Sequence, residues 1–214
     1  MPRQTRKKIP LVAPDSQTSK EAILSSLLQA FARDGYDGAS LPKIAKLANV
    51  APPLIHYYFG SKDQLWRATV DFSLGELRRE AASISLATRT LAPLDRLRVL
   101  LQAHILFAAK WPDHFFMIVA EARTASDRFL WLQENYTGVL FEDVVSILRD
   151  ARESGVMRDV CLDQLAIILI GGILVYFTVY PSRPSEDVEK LANDFADLMF
   201  GLVLRGVVLT DSAT

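Results

Sequence analysis

The chain is poor in the residues that announce catalysis. It has one cysteine, Cys161, so no intrachain disulfide can form and the composition fits a reducing compartment. Its place just before an apolar helix reads as a packed thiol. Three histidines are present. His104 and His114 are separated by Pro112, a poor arrangement for two ligands on one helical face. No metal site and no cofactor are expected. Neither G-x-G-x-x-G, nor a P-loop, nor H-E-x-x-H occurs. Ser40-Leu41-Pro42-Lys43 matches the S-x-x-K pattern of serine acyl-transfer enzymes, but neither Ser-Asp-Asn nor Lys-Thr-Gly accompanies it. Ser40 also stands where a helix cap is expected. The longest apolar run, Leu165 to Tyr180, is broken by Gly171-Gly172 and falls short of the roughly 20 residues of a membrane span. The N-terminal basic residues have no apolar run behind them, so they do not read as a signal peptide. Asn135-Tyr136-Thr137 matches a glycosylation sequon, but nothing else indicates secretion. No stretch alternates with a period of two, which predicts no sheet.

What the chain does have is apolar bulk and an uneven charge distribution. Half of its 214 residues are apolar, enough for a sizeable core. The formal net charge is only −1. Residues 1–70, however, carry ten Lys or Arg against five acids, a net of +5. The remainder carries 14 basic and 20 acidic residues, a net of −6. A basic head on an acidic body is the pattern expected when one part meets phosphate.

The helical punctuation divides the chain into an arm over 1–16, a head over 17–70, a body over 71–209 and a tail over 210–214. Thr18-Ser19-Lys20-Glu21 is a capping-box pattern. Ile23, Leu24, Leu27, Leu28 and Phe31 then form one helical face, which Gly35 ends. Ser40 caps a second helix that tolerates Pro42 in its first turn. Asn49 ends it, because asparagine tolerates left-handed backbone. Pro52 and Pro53 open a third helix, Gly60 breaks it, and Ser61 with Gln64 forms a second capping box. Further helices are expected near 62–89, 93–110, 112–122, 126–154, 162–180 and 185–207, about nine in all. The fold class is all-α, with a three-helix head and a larger helical body.

Two short helices joined by a tight turn at Asn49-Val50 make a helix-turn-helix, whose second helix fits the major groove of double-stranded DNA. Lys43, Lys46 and Lys62 lie on or beside this unit and can neutralise phosphate. Pro52, Pro53 and Leu54 offer apolar surface for thymine methyls, and His56 and Tyr57 are the polar candidates for base contact. Backbone N–H groups at the helix starts near Ser40 and Lys62 suit phosphate oxygens. Arg3, Arg6, Lys7 and Lys8 could add minor-groove contacts from the arm.

Residues 18–70 resemble the DNA-binding domain of TetR-family regulators. The resemblance rests on Ile55-His56-Tyr57-Tyr58-Phe59-Gly60-Ser61-Lys62, with Asp63-Gln64-Leu65 after it and Ala45 and Ala48-Asn49-Val50 before it. The chain departs from the family pattern at Asn49, usually Gly, at Ala51, commonly Ser or Thr, and at His56, usually Tyr. The resemblance implies that Tyr57 and Tyr58 lie near phosphates or base edges and that Lys62 meets the DNA backbone. It implies a cytoplasmic homodimer on a palindromic operator, usually a repressor, with a small-molecule effector bound in the body.

For that body the expected pocket residues are Phe107, Trp111, Phe115, Trp131 and Tyr176. Glu121, Arg123 and Arg128 read as surface ion pairs, or as groups that orient a polar part of a ligand. The helix at 162–180 is apolar nearly all round and must be covered on most sides. With the helix at 185–207 it is expected to build a four-helix dimer interface through Ile168, Gly172, Val175, Phe195, Leu198 and Leu202. Membrane binding is not expected. Two other readings stay open at this point. One is a same-fold DNA-binding protein without a ligand; the other is a helical enzyme or carrier whose N-terminus only mimics the motif.

Overall fold

A computed structural model describes residues 16–124, 126–180 and 187–208. The head is built from α1 (Ser16–Gly38), α2 (Leu41–Leu47), α3 (Pro52–Phe59) and the start of α4 (Lys62–Ala87). The body continues with α5 (Pro93–Lys110), α6 (Pro112–Ala122), α7 (Asp127–Leu132) and, after a π-helical turn, α8 (Gly138–Glu153). It ends with α9 (Leu162–Val179) and α10 (Val188–Met199), which runs through a second π turn into α11 (Arg205–Val207). With α7–α8 and α10–α11 each taken as one rod, the described residues form nine helices. Their only β pairing is an isolated bridge between Met157 and Val208.

Local chemistry accounts for most boundaries. Pro93 and Pro112 sit in the first turns of α5 and α6, where a missing N–H goes unnoticed. The Ser126 and Asp187 side chains accept from the Phe129 and Lys190 N–H groups and start α7 and α10. Gly35 takes φ 67° and ψ −179° and breaks the helical path of α1. The capping box expected at Thr18 does not start a helix, because α1 already runs from Ser16.

The core is continuous from head to body. Ile23, Leu27 and Phe31 of α1 meet Ile44 of α2, Ile55 of α3, and Leu65 and Trp66 of α4, all nearly inaccessible. The head rests on the body chiefly through α1 against α6 and α4, and α5 runs through the body in contact with α4, α6, α8, α9 and α10. Cys161 differs from expectation: it is exposed at the N-cap of α9, because its neighbour Leu162 is the one that turns inward.

By length and composition alone, α9 could cross a membrane. One face, with Leu165, Ala166, Leu169, Ile173 and Phe177, is buried against α5, α6 and α8. The opposite face leaves Ile167, Ile168, Val175 and Val179 more than half exposed.

Candidate functional site

The turn of the head motif is closed by backbone geometry. Asn49 has φ 53°, the only positive φ at a non-glycine among the described residues. That left-handed residue lets the Val50 N–H reach the Ala45 carbonyl at 2.9 Å and the Asn49 N–H reach the Lys46 carbonyl at 3.3 Å. The Ala45 and Lys46 carbonyls near the end of α2 are thereby satisfied and the chain is aimed into α3. Gly60, with φ 68°, ends α3. Ser61 and Gln64 then exchange hydrogen bonds of 3.0 and 3.1 Å, so the expected capping box does start α4.

Ile55 and Phe59 face inward and fix the rotation of α3. Pro52, Pro53, His56 and Tyr57 are left on the outside, with Tyr57 82% exposed. Leu54 and Tyr58 are half-buried; the Tyr58 ring packs edge-on between Tyr57 and Phe59. The His56 Nδ1 lies 3.1 Å from the Gly60 carbonyl, which can only accept. That nitrogen therefore carries the proton and Nε2 remains for another partner. Lys43 and Lys46 are exposed on α2. Ser40 occupies the N-cap of α2 in extended backbone, yet its hydroxyl makes no capping bond. The S-x-x-K match is thus a helix start with its lysine turned to solvent. Lys62 is folded back over the Tyr36 ring at 4.7 Å, with Nζ 3.4 Å from the Asp37 carbonyl. Arg3, Arg6, Lys7 and Lys8 lie outside the described residues.

The body holds a cavity of about 380 Å³ between α4, α5, α6, α8 and α9. Leu74, Leu77, Phe115, Ile118 and Ile173 line it with buried apolar surface, while the exposed Arg78, Arg79, Ala82 and Val139 mark its mouth. Tyr136 and Thr137 enter it from the π turn. There the Gly138 N–H bonds the Gln133 carbonyl, and a Cβ on Gly138 would lie 2.6 Å from that oxygen. Glycine is what permits the wide turn. His104 lies in the wall, 3% exposed, with Nδ1 2.9 Å from the Leu100 carbonyl. Burial pushes its pKa down, so the ring is neutral and Nε2 presents a lone pair. Asp143 is half-buried in the same wall; burial pushes its carboxyl pKa up.

Of the expected pocket residues, Phe115 lines this cavity. Phe107 and Trp111 instead border a second cleft of about 320 Å³, between α1, α4, α5 and α6. Trp131 and Tyr176 line neither. Trp131 packs edge-on against Trp66 under the Arg67 guanidinium, and Tyr176 stacks on Phe195 at 4.3 Å. Aromatic spacing could not separate pocket from packing. The signals that mattered, His104, Asp143 and the Gly138 turn, lie on helices whose register only the fold reveals.

Glu121 and Arg128 are not a surface pair. The carboxylate is 3% exposed, 3.0 Å from the Arg128 guanidinium, and also accepts from the Ser126 and Thr124 hydroxyls. Arg128 lies 3.6 Å over the Tyr36 ring and so ties α7 of the body to the end of α1. Arg123 is exposed. On α9, α10 and the π turn that follows it, Ile168, Val175, Leu198 and Leu202 are more than half exposed, and a Cβ on Gly172 would meet nothing within 4 Å. Phe195 is half-buried under Tyr176.

Comparison with known proteins agrees with this layout. Residues 23–69 match the model of the tetR family of bacterial regulatory proteins. Over 83 residues the chain is 35% identical to the transcriptional regulator BetI of Rhizobium meliloti, covering 39% of this chain and 40% of that one. The chain thus spans about two-fifths of that relative's length. Over 197 residues it is 26% identical to the transcriptional repressor NicS of Pseudomonas putida, covering 91% of this chain and 90% of that one. A solved structure of AibR in complex with isovaleryl coenzyme A and operator DNA shares the fold, with a TM-score of 0.69 at 18% identity over 84% of this chain and 97% of that one. Residues 23–69 thus form a head of the kind that the tetR-family model describes, carried on an all-helical body whose fold the solved structure shares.

Proposed function

We propose that the chain is a cytoplasmic, non-enzymatic repressor that binds a palindromic operator as a homodimer and is released by a small molecule held in the body cavity. The observation that carries this reading is the outer face of α3. Pro52, Pro53, His56 and Tyr57 stand exposed on a helix whose rotation is fixed by Ile55 and Phe59 beneath. An exposed proline pair has no use in a core and suits close approach to thymine methyls. Lys43 and Lys46 flank that face and add salt-dependent phosphate contacts. Lys62 would have to leave Tyr36 to join them.

The second copy belongs on the outer face of α9 and α10. Six apolar side chains there, Ile167, Ile168, Val175, Val179, Leu198 and Leu202, are each more than half exposed. A four-helix interface would remove them from water, and Gly172 would let the backbones approach. Two recognition helices must then stand about 34–36 Å apart to enter successive major grooves. Phe115 and Ile118 of α6 line the cavity, and α6 is also the helix on which α1 rests. A ligand that favours one position of α6 therefore biases the spacing of the heads. AibR, captured with both an acyl-coenzyme A and operator DNA, supports a body that binds a ligand and a head that binds DNA.

Selection of bound duplexes from a random pool tests the reading. It should return a palindrome, and Ile168→Lys should yield a monomer in sedimentation that no longer retains it. A wild-type protein that sediments as a monomer and returns no motif would end the proposal.

A further inference from the structure

The cavity wall is apolar except for a few groups: beside the Tyr136 and Thr137 hydroxyls at the π turn, it carries His104 and Asp143, and both of these are acceptors. The His104 Nδ1–H is spent on the Leu100 carbonyl, leaving Nε2 as a lone pair without a partner. Asp143 projects from α8 into the same wall. Its carboxylate has no ion pair or hydrogen bond among the described residues, although it is half-buried. Burial pushes its carboxyl pKa up, and no guanidinium stands within ion-pair distance of it among the described residues. A partly desolvated carboxylate without a counter-charge is costly. The missing complement is a cation or a hydrogen-bond donor.

The two arginines at the mouth do not supply it. Arg78 donates to the Asn135 carbonyl at 3.1 Å and lies over the Tyr136 ring. Both Arg78 and Arg79 are exposed, where water and salt weaken their pull on an anion. Nothing in the buried part of the wall donates to a carboxylate or phosphate.

We propose that the cavity takes an apolar amine, with its ammonium group donating to the Asp143 carboxylate and its hydrocarbon part filling the space between Leu77, Phe115, Ile118 and Ile173. A second N–H or O–H on the ligand is accepted by His104 Nε2. This rests on the reading of the body as a ligand-binding domain and adds the chemical class of the ligand.

The test is calorimetric titration of the full-length protein with octylamine, octanoate and octanol, equal in chain length and different in headgroup. Octylamine should bind at least tenfold tighter than either of the others. Asp143→Asn should erase that preference while leaving octanol binding within twofold. Asp143→Leu is the second variant should the first fold poorly. The melting temperature of each variant, taken without ligand, should not fall, because an uncompensated carboxylate has been removed. Octanoate binding as tightly as octylamine, an unchanged preference in both variants, or no binding by any of the three would overturn the amine assignment. Retention of a selected operator is measured separately. If carboxylates bind and release DNA, the regulator stands and the amine falls. If octylamine binds with the stated preference but no duplex is ever selected, the reverse holds.

Discussion

Arg128→Met is the substitution outside the hydrophobic core that the fold should feel most. Glu121 is 3% exposed and the Arg128 side chain 19%, so the carboxylate depends on its protein partners rather than on water. Methionine keeps much of the side-chain volume and removes the charge. Glu121 then retains only the Ser126 and Thr124 hydroxyls. Breaking a buried pair from one side costs about 3–5 kcal/mol, and the surviving hydroxyls place the expected loss near the lower end. For a chain of this size, that corresponds to a fall in Tm of roughly 6–12 °C. Converting both partners, Glu121→Leu with Arg128→Met, leaves no stranded charge. That double variant should recover to within about 1 kcal/mol of the parent. Urea unfolding followed by far-ultraviolet circular dichroism, at one fixed protein concentration, reads both differences. A single variant that unfolds at the parental urea concentration, or a double variant no better than the single, would refute the account of a buried, mutually dependent pair.

Three further outcomes follow from named positions. Asn49 holds φ 53°, so Asn49→Gly should keep or raise stability by up to about 1 kcal/mol, whereas Asn49→Val should cost about 1–2 kcal/mol; urea midpoints of the pair check the order. His104 is buried with its pKa held below the ordinary 6.5, so below that value the unfolded chain takes up a proton that the folded chain refuses. Stability should therefore fall as pH drops from about 6.5 towards the folded pKa, by at most about 1.4 kcal/mol per pH unit from this group, and His104→Leu should flatten that slope in melting curves. Lys43 is exposed beside α3, so Lys43→Ala should weaken binding to every duplex alike and lower the salt slope of log K by about 1, read by fluorescence anisotropy across a salt series.

The sequence made the head legible because its boundaries are written in local chemistry. Asn49 must be left-handed, Ser61 and Gln64 cap each other across one turn, and the proline pair can only open a helix. Each needs no more than a few neighbouring residues to act, so each can be read without the fold. The body obeys a different logic. Trp131, Tyr176, Phe107 and Phe115 look alike as aromatics on helices, yet one packs on Trp66, one stacks on Phe195, one borders the second cleft and one lines the cavity. Which fate each meets depends on the rotation of several helices at once. The charged residues show the same limit more sharply. Glu121 and Arg128 are seven positions apart across a helix break, a spacing that says nothing of burial, yet they pair with Glu121 inaccessible and the Arg128 guanidinium against the Tyr36 ring of α1. Asp143 sits on a helix flanked by ordinary surface charge, with Glu142 exposed beside it, and only the position of the Gln133–Thr137 turn brings it into the cavity wall. Where a side chain's role is set by groups within one turn of chain, the sequence suffices. Where it is set by the counter-charge that another helix supplies or withholds, only the assembled body reveals it, and the groups left without that counter-charge are where a ligand's chemistry can be read.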